Sequence, residues 1–138
     1  MSGMEAMKDE WKQDEAAGAE ENGRNPLREA SLDFAVAIVG AAKRLREERR
    51  EFALADQLLR SGTSIGANLS EAVYAASRPD FLNKNKIALK ECAETLYWLN
   101  LLRRCGLLPP DDARRLWRAC DQLRRMIASV CKTIESNP

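Results

Sequence analysis

The residues able to do chemistry in this 138-residue chain are 22 Lys and Arg, 21 Asp and Glu and four Cys, with no His at all. Without His the commonest general base near neutral pH and the commonest metal ligand are missing. Ser-His-Asp and Cys-His chemistry and His-bearing zinc sites are therefore excluded within one chain. Cys92, Cys105, Cys120 and Cys131 show no CxxC spacing. They read as small apolar packing residues in a reducing cytoplasm, with a disulfide or a Cys-only metal site as the alternatives. Glu91 and Glu94, with Glu71, come nearest to a catalytic arrangement of acids. Di-metal carboxylate bundles, however, use a Glu-x-x-His motif that this chain cannot supply. These acids are expected to pair with Lys90 or to satisfy polar groups between helices. No P-loop, dinucleotide fingerprint or zinc spacing is present, so no enzymatic activity and no cofactor is expected.

The basic residues are the main functional candidates, and the chemistry they suggest is phosphate binding. Lys43, Arg44, Arg46, Arg49 and Arg50 form one run, diluted by Glu47 and Glu48. The ordinary reading is that bases are favoured at a helix C-terminus. Arg114, Arg118 and Arg125 fall within about 40° of one another on a helix, and Asp121 weakens their stripe. The ordinary reading of such a stripe is a solvated face. A ring of copies would multiply it into a surface for nucleic acid. The net charge of +1 conceals a division. Residues 1–24 hold seven acids against three bases, a balance of −4, and residues 25–138 hold 14 against 19, a balance of +5. An acidic tail could shield the basic body from RNA.

These residues must be positioned by helices. Residues 1–25 have one aromatic, Trp11, and few large apolar side chains, so this acidic tail is expected to be disordered. Residues 26–138 are read as one domain. The first helix is expected from about Leu27 to Glu48, with a stripe of Leu32, Val36 and Val39 and another of Phe34, Ile38 and Leu45. So wide an apolar arc suggests burial against several neighbours. The second helix is expected from about Phe52 to Ser77, with Leu54, Leu58, Ile65, Leu69, Ala72 and Ala76 inward. Gly62 and Gly66 suggest a close helix contact, because Gly inside a helix otherwise costs about 1 kcal/mol relative to Ala. Asn68 is read either as a buried register-fixing residue or as locally bonded at a kink. The third helix runs from Pro79 or Asp80 to Arg104, on a stripe of Phe81, Ala88, Cys92, Leu96, Leu99 and Leu102. Ile87, Tyr97, Trp98 and Leu101, mixed with Lys90 and Glu94, make a second patch expected to serve self-association. The alternative is that this patch covers the second helix or the tail. Gly106 with Pro109 and Pro110 marks a stop and restart. Ala113, Leu116, Cys120, Leu123, Ile127, Val130 and Ile134 then form a sustained seam. Short connections make an all-α, antiparallel up-down-up-down four-helix bundle. No apolar run reaches the 18 residues of a membrane span, so no membrane association is expected.

Residues Arg60-Ser61-Gly62-Thr63-Ser64-Ile65-Gly66-Ala67-Asn68-Leu69-Ser70-Glu71-Ala72 carry a resemblance that Asp80-Phe81, Lys84, Ile87-Ala88-Leu89-Lys90-Glu91, Glu94-Thr95 and Tyr97-Trp98-Leu99 extend. The chain resembles the bacterial four-helix-bundle proteins encoded by intervening sequences in large-subunit ribosomal RNA genes. That family is related to the accessory variability determinant proteins of diversity-generating retroelements. The resemblance implies a bundle that assembles as a homopentameric ring without enzymatic activity. Its accessory branch implies a basic ring binding RNA or DNA and a reverse transcriptase. The motif residues Gly62, Ile65, Gly66, Asn68, Glu71, Lys90 and Glu94 are then packing or assembly determinants. The competing expectation is a protein-interaction adaptor that binds no nucleic acid.

Overall fold

The computed structural model describes residues 25–137. Four helices follow one another: α1 (Pro26–Arg49), α2 (Phe52–Ala72), α3 (Arg78–Arg104) and α4 (Pro110–Ser136). Arg46 pairs with Asp56 across α1 and α2, and Lys84 with Glu71 across α2 and α3. Lys86 pairs with Glu135 across α3 and α4, and Arg44 with Asp112 where α4 closes back on α1. Neighbours are thus antiparallel, and the expected up-down-up-down bundle is what forms. The acidic tail over residues 1–24 lies outside the described residues. Asn25 belongs to the bundle: its Oδ1 accepts from the N–H groups of Leu27 and Arg28, and Pro26 takes the first helical position. This satisfies two of the donors that every helix N-terminus leaves open.

The core is built from the expected stripes of α2, α3 and α4. Leu58, Ile65, Phe81, Ala88, Cys92, Leu99, Leu102, Cys120, Leu123 and Ile127 are essentially inaccessible. Five buried polar residues interrupt it: Ser31, Ser61, Asn85, Thr95 and Asp121. The hydroxyls of Thr95 and Ser61 meet across α2 and α3 at 2.9 Å, and Thr95 also donates to the Glu91 carbonyl at 2.7 Å. Such partnering is what allows a hydroxyl to be buried at little cost.

The structure corrects the reading of α1. Phe34, Ile38, Ala41, Ala42 and Leu45 enter the core, but Leu32, Val36 and Val39 are 66%, 67% and 50% exposed. One face of α1 suffices for the bundle, and the second apolar stripe is left uncovered within a single chain.

The end of α2 is also corrected. The helix stops at Ala72, before the expected Ser77, and i→i+3 bonds from Val73, Tyr74 and Ala75 unwind it. The cause is the start of α3. Ser77 Oγ accepts from the Asp80 N–H at 3.2 Å, and Asp80 Oδ2 accepts from the Ala76 N–H at 3.1 Å. This reciprocal cap needs residues 76–77 outside a helix. Ala75 turns in to a small second core with Ala72, Phe81 and Ile134, while Ala76 is left exposed.

Close contact explains the two helical glycines. A Cβ on Gly62 would lie 2.8 Å from Ile38 Cγ2, and one on Gly66 would lie 3.2 Å from Ser31 Oγ. Gly106, at φ +68°, takes the left-handed cap position after α3, and the Leu107 N–H bonds to the Leu102 carbonyl at 2.9 Å. Arg50 performs the same turn after α1 at φ 54°, a conformation uncommon for residues other than Gly.

Candidate nucleic-acid interface

Antiparallel packing places the ends of α1 and α3 beside the starts of α2 and α4. The two basic clusters, 70 residues apart in sequence, therefore share one end of the bundle. Arg44 reaches Asp112 at the start of α4 with a 3.0 Å ion pair. Arg103 and Arg104, in the last turn of α3, join the same end. A cleft of about 290 Å³ between α3 and α4 is lined by Arg103, Arg114, Trp117 and Arg118. Sequence reasoning missed Arg103, Arg104 and Arg115. Their signal was position, in the last turn before Gly106 and the first turns after Pro110.

The candidate bases differ in how far carboxylates already engage them. Arg44 pairs with Asp112, Arg46 with Asp56 at 2.7 Å, Arg114 with Asp111 at 3.6 Å, and Arg125 with Asp121 at 3.0 Å. Among the described residues, Lys43, Arg49, Arg103, Arg104 and Arg118 have no carboxylate within ion-pair distance. Exposed pairs contribute only about 0–1 kcal/mol and are readily exchanged for another anion. The guanidinium groups of Arg46 and Arg50 lie 5.2 and 5.8 Å from the centre of the Phe52 ring. Phe52 is itself exposed, so this end presents an aromatic face among cations. Arg125 stands about 10 Å further along α4 than Arg118. There it lines a second groove, of about 810 Å³, between α4 and the start of α1.

The three acids are each engaged by a base. Glu91 and Glu94 both face Arg60 on α2, with Glu94 making the closer contact, and Glu71 pairs with Lys84 at 2.9 Å. The expected partner Lys90 is exposed on the surface instead. The hydrogen bond from Arg60 holds the Glu94 carboxyl below its ordinary range, and the carboxylate in turn raises Arg60. The Trp98 indole donates to the same carboxylate at 3.3 Å. These groups clamp α2 to α3. No group of three or more metal-ligating residues occurs among the described residues. Cys92, Cys120 and Cys131 are buried free thiols and Cys105 is exposed. The hydrogen-bonding contact with Cys92, and then burial, push the Cys120 thiol far up, away from the reactive thiolate.

The motif residues have structural places. Ile65 is in the core, Gly62 and Gly66 seat α1, and Asn68 bonds locally to the Ser64 carbonyl at 2.8 Å. The apolar patch expected on α3 is narrower than its sequence suggests. Trp98 packs on the core, Ile87 and Leu101 are half-buried, and Tyr97 stands exposed, edge-on to Trp98. The Leu32–Val36–Val39 stripe on α1 is more open, and a groove of about 510 Å³ bordered by Leu32, Ala35, Gly66 and Ala67 runs beside it.

The family model described as 23S rRNA-intervening sequence protein matches residues 25–129. Among solved structures, the chain is similar to a protein of unknown function from the S23 ribosomal protein family of Bacteroides thetaiotaomicron. That similarity has 44% identity and a TM-score of 0.76, and covers 77% of this chain and 98% of the other. No curated protein matches the chain.

Proposed function

The chain belongs to the 23S rRNA-intervening sequence protein family, and on that premise we propose that it is a non-catalytic, self-associating bundle that binds RNA or a ribonucleoprotein. The observation that carries the reading is the gathering of Lys43, Arg49, Arg103, Arg104 and Arg118, with the Phe52 face, at one end of the bundle. Cations without carboxylate partners release counterions from a phosphate backbone on binding, and an exposed ring can stack on an unpaired base. The solved relative's description within a ribosomal protein family supports a ribonucleoprotein target.

Self-association is the second part of the proposal. The exposed stripe on α1 is apolar in a row, where a solitary helix face would carry charge. A homopentameric ring would align five basic ends. The test is light scattering on the full chain, whose single-copy mass is 15.5 kDa. Five times that mass supports the ring, and a concentration-independent monomer rejects it. The same stripe supports a second reading, in which it docks a different protein such as a reverse transcriptase. A monomer whose mass rises only on adding that enzyme would favour this reading.

A further inference from the structure

The cleft of about 290 Å³ between α3 and α4 has a lining that phosphate binding alone does not account for. Part of that lining is apolar: Leu99 and Ala113 belong to the buried core, and Pro110 and the half-buried ring of Trp117 lie beside them. The rest is polar, with Arg103, Arg114, Arg118 and the exposed amide of Asn100. Arg103 and Arg118 have no carboxylate within ion-pair distance among the described residues. Arg114 has only a 3.6 Å pair with Asp111, which is 94% exposed, so a phosphate can readily replace it. The Trp117 indole N–H is buried and has no hydrogen-bond partner among the described residues. A buried donor left unpaired costs stability, so a group with an acceptor atom is favoured beside this ring.

We propose, resting on the RNA binding proposed for this end of the bundle, that the cleft receives one unpaired base, with the flanking phosphates held by Arg103, Arg114 and Arg118. The partner is thereby narrowed from RNA in general to RNA with an unpaired nucleotide. A volume of about 290 Å³ lies at the small end of ligand clefts, which suits a single planar group and not a helix or a duplex. A base brings an apolar face for Trp117 and edge acceptors and donors for Asn100, whose amide carries both kinds of group. In a duplex the faces are stacked and the edges paired, and an apolar slot gains nothing from them. Charge complementarity fixes the rest. Arg114 and Arg118 stand one turn apart, about 6 Å along α4, with Trp117 in the same turn. That spacing lets them hold the phosphates on either side of one nucleotide.

The test compares two labelled hairpins of equal charge against the full chain. One has an intact unpaired loop, and the other has the same loop with abasic riboses. The intact loop should bind about tenfold more tightly, within the range of one base–aromatic stack, with the same salt slope because the phosphates are unchanged. Trp117→Ala should abolish the difference and leave affinity for the abasic hairpin as it was. Trp117 also packs on the core, so the parent chain supplies a second readout that needs no substitution. A 4-thiouridine in the loop should photocrosslink to Trp117 or Asn100. Equal binding of the two hairpins to the parent chain, or a crosslink confined to Phe52 or another site away from the cleft, would overturn the proposal and leave RNA binding standing. If neither hairpin binds at low salt, the proposed function falls and the base site falls with it.

Discussion

At the residue scale, Gly62 leaves less room for a side chain than any other described glycine, because Ile38 packs against it. Ala at 62 would place its Cβ 2.8–2.9 Å from two carbons of a fully buried, β-branched side chain. Such overpacking costs about 1–3 kcal/mol, against about 1 kcal/mol gained in helix propensity. Gly62→Ala should therefore lower stability to urea. Gly66→Ala meets Ser31, with Oγ at 3.2 Å and Cβ and the carbonyl at ordinary contact distances of 3.5 and 3.6 Å, and should leave the urea midpoint nearly unchanged. A second prediction concerns Glu94. Its carboxyl titrates lower in the folded chain because Arg60 bonds to it. Its contribution to stability is present above the ordinary carboxylate value, about 4.3, and is lost as pH falls through the lower folded value. Glu94→Gln should flatten acid unfolding in that window, measured by circular dichroism. An unchanged pH profile would mean that the Arg60 contact contributes nothing.

At the element scale, the exposed stripe of α1 makes the sharpest prediction. Val36 is 67% exposed and belongs to neither core cluster. Val36→Lys should leave helicity and thermal unfolding of the single chain intact and reduce the assembled mass in light scattering. An unchanged mass would move the interface elsewhere, with the Tyr97 face of α3 next in order. Much of this scale was legible in the sequence. The α4 seam, the Gly106 turn and the close approach at Gly62 and Gly66 follow from periodicity and from the cost of helical glycine. Less legible was which of two apolar stripes on α1 enters the core, because periodicity reports amphipathicity and not the partner. The end of α2 was hidden because Ala72 and Ala76 keep helical spacing, while the side chains that stop the helix, Ser77 and Asp80, belong to the next one. Ser61 and Thr95 were passed over in the core because each is polar alone and satisfied only as a pair.

At the scale of the whole molecule, the bundle turns distant segments into one surface. The runs at residues 43–50 and 114–118 were visible in the sequence as separate helix features, each with an ordinary explanation. Only the antiparallel topology shows that they share an end, and that Arg103 and Arg104 join them there. The functional account depends on that convergence rather than on the modest net charge of the chain. The most direct test is fluorescence anisotropy of a labelled RNA hairpin titrated with full-length protein at several salt concentrations. Binding should be measurable at low salt and weaken steeply as salt rises. The variant Arg103→Glu/Arg104→Glu/Arg118→Glu should bind at least about tenfold more weakly, with the salt slope reduced by about 1 for each lost phosphate contact. The charge-matched variant Arg28→Glu/Lys90→Glu/Lys132→Glu, which avoids the basic end, should bind nearly as the parent does. Absence of binding at low salt, or equal losses in the two variants, would contradict the account.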